Sequence, residues 1–431
     1  MHDLKFLRTN RDKVEAGVAL KGMHVDLARF YSIEERRLAV LHETEQLKAR
    51  RNAASEEIAA RKRRGEDAGS EIGAMREVGE RIKALDAELK RLEDESEQLA
   101  AWIPQLPHAS VPPGHDAAQN QLVRTWGELP KFGFAPRPHW EIAAALGLLD
   151  FERGTKIAGS GFLLFTGLGA RLERALINFM LDFHTRRHAY REVSPPHLVR
   201  RAAMFGTGQL PKLEGEMYHV GEDDLFLNPT AEVPVTNIYR DEILEPGVVP
   251  AYLTAYCASY RREAGAAGRD TRGMVRVHQF DKVELVKIVP GESSYDEHEK
   301  LARDVSDIFE ALELPYRVVL LCSGDMSFAA SKCYDFEVWA PGCGAWLECS
   351  SCSNFEDFQA RRMGMRFRRE AGAKAEFPHT LNASGVALPR TYAALLENHQ
   401  TEDGGVRIPK ALQPHLDGLT RIEPAKVASP K

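Results

Sequence analysis

Residues 260–284 read YRREAGAAGRDTRGMVRVHQFDKVE and indicate the fold more clearly than any other stretch of the chain. The segment opens on Arg261, Arg262 and Glu263 and then crosses a glycine-rich loop. An alternating apolar pattern resumes beyond the loop, at Val275, Val277, Phe280 and Val283. Two strands joined by a cationic loop suit an anionic ligand held between rigid edges, because arginine forks bind phosphate oxygens bidentately. A hairpin with a solvated basic loop fits this segment equally well when it is taken alone.

Other side chains of this hairpin suit a nucleotide. The ring of Phe280 offers a face for stacking a base, and Glu263 offers an acceptor for an exocyclic amine. The loop between the strands contains Gly265 and Gly268 and adds two cationic side chains, Arg269 and Arg272. The segment therefore predicts a site for a phosphorylated ligand.

The length and composition of the chain indicate its general class. A chain of 431 residues with 43% hydrophobic residues predicts two domains and a substantial core. No run of about 18 apolar residues is present, so no membrane span is expected. The N-terminus lacks the apolar region of a signal peptide and the six cysteines suit reduced thiols, so a cytoplasmic location is expected. A net charge of −6 argues against a uniformly basic nucleic-acid coat but permits a local basic patch.

The pattern of residues 1–105 predicts a long helical hairpin. Apolar residues in its second half recur in alternating steps of three and four, broken only by Ser96, at Met75, Val78, Ile82, Leu85, Leu89, Leu92 and Leu99. The upstream partner has a seven-residue spacing, carried by Ile33, Val40, Leu47 and Ala54, with Ile58 one turn further on. This is a heptad seam, so we expect two helices of about thirty residues and about 45 Å each, folded into an antiparallel coiled coil over about residues 27–102. Such a hairpin is alternatively a dimerisation device.

The predicted tip of this hairpin is basic. Its cationic residues are Lys48, Arg50, Arg51, Arg61, Lys62, Arg63 and Arg64. Only Glu56 and Glu57 oppose them on the first helix near the tip. A cationic tip on a rigid lever suits contact with an RNA backbone, although a solvated helix face is the alternative interpretation.

Residues 106–431 have a mixed pattern. Prolines after Trp102 end the helical region, and short strand-like runs then often follow one another directly. Helical patterns lie at residues 172–187, 294–312 and 391–398. This order favours an α+β fold with an antiparallel sheet flanked by helices over a doubly wound parallel sheet.

Three segments of this second region carry candidate polar ligands. Thr230 and Glu232 combine a hydroxyl and a carboxylate suited to an ammonium group, although a helix N-cap is the alternative. Residues 346–354 end a strand-like run, and within them Glu348 and Ser351 offer oxygen ligands of the kind that Mg²⁺ prefers. Arg390 at a predicted helix start combines a guanidinium with free amides, which suits a phosphate, although a surface charge is the commoner case.

The cysteines of this region raise the question of zinc. Cys349 and Cys352 form a CxxC pair, and Cys333 and Cys343 lie nearby in the sequence. The spacings do not form two CxxC pairs, so zinc is not expected and buried thiols are the preferred interpretation.

Together these segments resemble the motifs of the bacterial seryl-tRNA synthetases, a family of class II aminoacyl-tRNA synthetases. Residues 260–284 resemble motif 2, ECSSCSNFEDFQARRM resembles the metal-binding strand segment, and GVALPRTYAALLENHQ resembles motif 3. FGTGQLPK, NPTAEVPVTN, the SPP of residues 194–196 in motif 1 and the two-helix arm also fit. The chain has Cys349-Ser350-Ser351 where the family has ISS or VSS, and NASG at residues 382–385 where it has NGSG. The resemblance covers essentially the whole chain.

The resemblance implies ATP-dependent ligation of L-serine to tRNA(Ser), and also to tRNA(Sec), through a seryl-adenylate. Arg261 would bind the α-phosphate and the serine carboxylate, Arg390 the γ-phosphate, and Glu348 with Ser351 would ligate Mg²⁺. The implied ATP-binding residues are Arg261, Arg262, Glu263, Val277, Phe280, Glu348, Cys349, Ser350, Ser351 and Arg390. The implied serine-binding residues are Thr230, Ala231, Glu232, Arg261, Glu284, Asn382 and Ser384.

The resemblance also implies a division of labour along the chain. Residues 1–105 would form a tRNA-binding domain, with contacts from Arg50, Arg51, Arg61, Lys62, Arg63 and Arg64. Residues 106–431 would form the class II catalytic domain, and a homodimer would form through motif 1.

Three other classes of protein are alternatives to this family. Ligases that load amino acids onto a carrier protein lack the long arm that this chain has. A non-catalytic RNA-binding paralogue would have lost phosphate ligands, whereas Arg261, Glu263, Glu348 and Arg390 are present. Another class II specificity, such as threonine or proline, is disfavoured by the arm and by the TAE segment at residues 230–232.

Overall fold

A computed structural model describes residues 1–264 and 272–424 of the protein. The chain divides into two compact units, one formed by Met1–Ala19 and Met23–Pro104 and the other by Leu20–Gly22 and Gln105–Lys431. The predicted loop residues Gly265, Gly268 and Arg269 lie outside the described residues. Within the described part of the chain, every helix is too short or too polar to cross a bilayer.

Helices dominate the first unit. They are α1 (Leu4–Thr9), α2 (Arg11–Leu20), α3 (Leu27–Arg63) and α4 (Gly69–Ala100). The side chain of Asp26 caps α3 by accepting a hydrogen bond from the Arg29 amide at 3.0 Å. Gly65, with a φ of +75°, follows the end of α3 in a left-handed conformation that glycine adopts without a steric penalty.

Helices α3 and α4 form the predicted antiparallel hairpin, which confirms the coiled-coil arm. The helices contain 37 and 32 residues, slightly more than the predicted thirty. Val40, Leu85 and Leu92 are buried between them, flanked by Ile33, Leu47 and Leu89. The heptad seam therefore packs as the spacing predicted, because residues three and four apart lie on one helix face.

Ser96, which breaks the seam, has a polar partner across the hairpin. Its hydroxyl donates to Glu34 Oε1 at 2.7 Å, and Arg37 and Arg8 donate to the same carboxylate at 2.7 Å each. Glu34 and Ser96 are fully buried. Burial by itself raises the pKa of Glu34, but the three hydrogen-bond donors outweigh burial and lower that pKa to about 2. A polar pair in an apolar seam favours one register of the two helices, because any other register removes the Ser96 donor from this buried carboxylate.

The second unit is built on one large, mostly antiparallel sheet. The described strands are β1 (Gln121–Trp126), β2 (Arg191–Glu192), β3 (Leu198–Arg200), β4 (His219–Val220), β5 (Leu225–Leu227), β6 (Ile243–Leu244), β7 (Ala251–Tyr260), β8 (Gln279–Val289), β9 (Tyr316–Leu320), β10 (Lys332–Ala340), β11 (Ala345–Asn354), β12 (Arg366–Phe367), β13 (His379–Ala387), β14 (Val406–Arg407) and β15 (Arg421–Ile422). The main sheet has the order β1-β9-β10-β11-β13-β8-β7-β2, in which only the short β2–β7 pair is parallel among the described strands. The predicted α+β fold is confirmed.

Helices cover both faces of this sheet but leave part of one face open. They are α5 (His139–Ala145), α6 (Phe151–Ala158), α7 (Leu168–Arg187), α8 (Arg201–Thr207), α9 (Glu232–Thr236), α10 (Ser294–Ala311), α11 (Phe358–Met363) and α12 (Leu388–Asn398). Apolar residues of α7, α10 and α12 form the main core with β8–β11 and β13. On the other face α9 and α11 cover Val286 and Ile288 of β8, in a smaller cluster.

One local prediction needs correction. The returning strand of the motif-2 hairpin begins only at Gln279, because the backbone around Met274 and Val275 bonds to side chains of α5 and α12 instead of a neighbouring strand.

We expect Ser96→Ala to lower the free energy of unfolding of the α3–α4 hairpin by about 1.5–3 kcal/mol, because the substitution removes a buried hydrogen bond to a charged group. Hydrogen exchange of α3 and α4 amides in the full-length protein measures this loss, with the exposed Ser70→Ala as the matched control. The Glu34 contribution is fully present above the ordinary pKa of 4.5 and is lost as the pH falls towards 2, so the difference should shrink in that window. Equal protection of wild type and Ser96→Ala at neutral pH would contradict the register-fixing role.

Candidate active site

A cavity of about 500 Å³ opens on the uncovered face of the sheet. Its lining brings together all three segments in which the sequence predicted polar ligands. These include Thr230, Glu232, Arg261, Glu263, Val277, Phe280, Glu348, Ser351, Asn382, Ser384 and Arg390. Residues from 230 to 390 therefore converge on one site, although they are far apart in the sequence.

Two arginines, Arg261 and Arg390, line the cavity. Arg261 follows the end of β7, its Nε donates to Pro229 O at 3.3 Å, and its guanidinium lies 5.2 Å from the centre of the Phe280 ring. Arg390 stands in the first turn of α12 and donates from Nε to Val275 O and from Nη1 to Glu348 O, at 3.1 and 2.7 Å. Both guanidinium groups are fixed by backbone carbonyls, so their remaining donors are oriented before a ligand arrives.

A β-bulge brings Glu348 and Ser351 to the same face of β11. On a regular strand, residues three apart point to opposite faces. Between β10 and β11, however, Phe336 pairs with Ser350 and Glu337 pairs with Glu348, so Cys349 is an extra residue. Cys349 packs in the main core, and the cavity lining includes Cys349 and Ser350 as well as Glu348 and Ser351.

A second bulge shapes the strand opposite. Ser384 pairs with Glu284 and Val386 with Val283, which leaves Gly385 as the extra residue of β13. The carbonyl of Ser384 accepts a hydrogen bond of 2.5 Å from the Ser350 hydroxyl of β11. The two bulged strands are thus tied together where Asn382 and Ser384 reach the cavity.

One end of the cavity is a buried polar network centred on Glu284. Thr230 Oγ1 and Asn382 Nδ2 donate to its two carboxylate oxygens at 3.0 and 3.2 Å, and Lys282 forms an ion pair with it. Lys282 also donates to Thr230 Oγ1 at 2.7 Å. Sequence reasoning missed Lys282, although it stands two residues from both Phe280 and Glu284 and so shares their face of the strand.

Glu232 is the second carboxylate at this end. Gln359 Nε2, which sequence reasoning also missed, donates to it at 2.7 Å. Burial first, and then the nearby charge of Glu284, raise the pKa of Glu232 to about 7. The site therefore holds a carboxyl group that ionises near neutral pH, beside a second buried acid.

The remaining predicted residues lie in different places. Glu263 has a φ of +50° and accepts a hydrogen bond of 2.5 Å from Arg276, a cavity residue missing from the predicted set. Arg262 and Ala231 lie outside the cavity lining, with Ala231 fully buried in the smaller core cluster. Glu284 is buried beneath the lining.

The predicted RNA contacts are on the arm, and they differ in their surroundings. Arg61 pairs with Glu71 of α4 at 2.6 Å, and Arg64 pairs with Glu66 at 3.0 Å. The side chains of Arg50, Arg51 and Lys62 form no ion pair with a described residue, and Arg63 donates from Nε to Ala59 O at 3.2 Å. The tip is therefore less positive than its basic residues alone suggest.

The described residues contain one group of side chains close enough to share a metal ion, namely His139, Cys343 and Glu397. Hydrogen bonds account for their proximity. His139 Nδ1 lies 2.7 Å from Glu397 Oε1, Cys343 Sγ lies 3.1 Å from the same oxygen, and the Met274 amide donates to His139 Nε2 at 3.1 Å. Both ring nitrogens are thus occupied.

The sequence of part of the second unit matches a known class of enzymes. Residues 216–399 match the family model of the tRNA synthetase class II core domain (G, H, P, S and T). The protein is therefore a class II aminoacyl-tRNA synthetase.

The arm and the full-length comparisons define the family within this class. Residues 1–107 match the seryl-tRNA synthetase N-terminal domain. The serine–tRNA ligases of Geobacter sulfurreducens and Geobacillus kaustophilus are 54% and 55% identical to this chain, over 98% and 96% of its length and 100% and 98% of their own. The solved structure of seryl-tRNA synthetase from Pyrococcus horikoshii complexed with ATP has a TM-score of 0.94 at 34% identity, covering 99% of this chain and 100% of that one. The chain belongs to the seryl-tRNA synthetase family, and its activity is that of a serine–tRNA ligase acting on serine, ATP and tRNA(Ser).

Proposed function

We propose that the cavity forms seryl-adenylate and that Arg261, Glu348 and Arg390 carry this step. The observation that supports it best is that two arginines lining one cavity are each held by a backbone carbonyl. Arg261 would bind the α-phosphate and the serine carboxylate, and Arg390 would bind the γ-phosphate. The serine carboxylate attacks the α-phosphate and pyrophosphate leaves, so the chemistry requires positioning and charge neutralisation more than a protein nucleophile.

The adenine would lie at the motif-2 wall of the cavity. The ring of Phe280 would stack on the base, while Glu263 and the backbone of Val277 would bind its polar edge. Arg262, Cys349 and Ser350 complete the proposed ATP-binding set. The short bond from Arg276 to Glu263 supports the role of Glu263, because it fixes a carboxylate at the rim of the cavity.

Glu348 and Ser351 suit Mg²⁺. The bulge at Cys349 turns a carboxylate and a hydroxyl, both hard oxygen donors, towards one cavity, and the Glu348 side chain is 49% exposed there. Bound Mg²⁺ would neutralise phosphate charge. We propose no zinc in this enzyme.

Serine would occupy the polar end of the cavity. Glu232 and Thr230 would bind its ammonium group, and Ser384, Asn382 and Glu284 would surround its hydroxyl, with Ala231 shaping the wall. A site whose buried polar groups await a hydroxyl rejects alanine by roughly 10⁴–10⁵.

We propose that residues 1–105 bind tRNA through the arm. We propose that residues 106–431 catalyse both the formation of seryl-adenylate and the transfer of serine to the tRNA. Arg50, Arg51, Arg61, Lys62, Arg63 and Arg64 would contact the tRNA backbone. The same arm would serve tRNA(Sec) as a second acceptor. We infer that the enzyme acts in the cytoplasm, because ATP and tRNA are available there for protein synthesis.

We also propose a homodimer formed through motif 1. Helix α7, which precedes motif 1 in the sequence, lines an open groove of about 480 Å³ with the half-buried side chains of Ile177 and Leu181 and the charged side chain of Arg174. Leu122 and Val123, on the edge strand β1, are 61% and 55% exposed. Apolar surface on an edge strand and on one helix suits a self-complementary two-fold contact.

Arg261→Ala should lower serine-dependent ATP–pyrophosphate exchange by about 10²–10³, because a preorganised donor to the developing phosphate charge is lost. The exposed Arg303→Ala is the matched control and should retain wild-type exchange. A folded Arg261→Ala enzyme with near-normal exchange would refute the assignment.

The KM for serine should rise about tenfold per unit as the pH falls below 7, because the ammonium group needs ionised Glu232, whose pKa is raised to about 7. Glu232→Gln should have a high serine KM at every pH and a flattened profile. The KM for ATP, measured in the same exchange assay, serves as the internal control. A serine KM that stays constant from about pH 6 to 8 in the wild type would exclude this role.

Lys62→Ala with Arg63→Ala should weaken tRNA binding and reduce the slope of log Kd against log salt by about 0.7–0.9 per lost phosphate contact. Neither residue forms an ion pair with a described carboxylate, so the hairpin itself should remain intact. Lys83→Ala with Lys90→Ala, further from the tip on α4, is the matched control. Pyrophosphate exchange should be unchanged, and an unchanged tRNA affinity would move recognition to another part of the arm.

A further inference from the structure

His139, the first residue of α5, lies outside the ATP-binding set but is bonded to its wall. The side chain is fully buried. Its Nε2 accepts a hydrogen bond from the Met274 amide at 3.1 Å, and its Nδ1 lies 2.7 Å from Glu397 Oε1. Because Nε2 accepts, the ring proton must be on Nδ1 and be donated to the carboxylate, which fixes a neutral imidazole in one tautomer.

The carboxylate that orients this ring is itself rigid. Glu397 stands in the last turn of α12 and is fully buried. The amides of Gly342, Cys343 and His139 donate to it at 2.7, 3.0 and 2.9 Å. Because these donors hold the carboxylate in one orientation, its hydrogen bond with His139 Nδ1 also fixes the orientation of the imidazole ring.

The segment that His139 holds is part of the nucleotide wall. Met274 and Val275 both line the cavity. Val275 O accepts the Nε hydrogen bond of Arg390, which lies in the first turn of α12. The same helix therefore fixes this segment twice, directly through Arg390 at its start and through Glu397 and His139 at its end.

Gly273 shows how close the contact is. Its φ is +74°, and a Cβ added there would lie 2.2 Å from His139 Nε2 and 2.9 Å from the Trp140 ring. A side chain at this position would displace the ring that receives the Met274 amide. Glycine is therefore required at position 273 both by the close contact with the His139 ring and by the positive φ of the backbone.

We propose that His139 is a positioning residue for ATP, which holds the Met274 amide so that the Val275 carbonyl stays on Arg390. This proposal rests on the ATP site described under the proposed function. It assigns no contact between His139 and a substrate. A small displacement of a positioning segment costs up to about 10² in rate, so the effect should be large for a residue remote from the reacting atoms.

The test compares two variants of matched length in the full-length enzyme. His139→Gln keeps one donor and one acceptor, whereas His139→Met fills the same space with neither. We expect His139→Met to raise the KM for ATP about tenfold or more in pyrophosphate exchange, with the KM for serine unchanged, and His139→Gln to restore most of the ATP affinity.

The control separates positioning from stability. His399 is also buried, with Nε2 2.9 Å from Leu312 O, and does not line the cavity. His399→Met should lower the melting temperature and leave the KM for ATP unchanged. A His139→Met enzyme that behaves in the same way would overturn the proposal.

Two further measurements keep the outcome decisive. If His139→Met does not fold, Glu397→Gln replaces it, because it removes an acceptor while keeping the side-chain shape. A normal KM for ATP in Glu397→Gln would then refute the proposal. Arg390→Ala is measured in parallel, since an unchanged KM for ATP in that variant would reject the ATP site itself, independently of His139.

Discussion

The ion pair between Lys282 and Glu284 on β8 is the interaction on which the geometry of the site depends. Their side chains are 6% and 0% exposed, and charges at such depth are stable only when their remaining donors and acceptors have partners. Thr230, from the turn before α9, and Asn382, from β13, supply those partners for Glu284. Loss of one partner would leave a buried charge with fewer hydrogen-bond donors, so three separate segments are held in one arrangement before the substrate arrives.

Much of this architecture follows from periodicity in the sequence. The heptad spacing predicted the arm, and the side-chain alternation of a strand places Phe280 and Glu284 on one face of β8. The same alternation includes Lys282, which was overlooked because a lysine between two site residues resembles an ordinary surface charge. Ser96 was visible as a defect in the seam, but its partner Glu34 is 62 residues away, and side-chain hydrogen bonds over that distance leave no local pattern.

The bulges and the segment before β8 could not be predicted in this way. A bulge adds one residue to a strand, so at Cys349 and Gly385 it reverses the faces that alternation assigns. Met274 and Val275 alternate like a strand, yet their backbone groups bond to His139 and Arg390, which come from two helices. At each of these positions the conformation depends on contacts with residues that are distant in the sequence, and the local sequence pattern does not indicate those contacts.

The distribution of thiols gives this enzyme an internal probe of its catalytic unit. All six cysteines lie between residues 257 and 352, and none lies in the arm. Burial is the main cause that raises the pKa of Cys257 to about 11 and that of Cys349 to about 12, so these two sulfurs are protonated and unreactive near neutral pH. An alkylating reagent would modify them only when the sheet opens, because the thiolate is the reactive species. The rate of labelling at these two positions would therefore report the opening of the catalytic unit and would be insensitive to local unfolding of the arm.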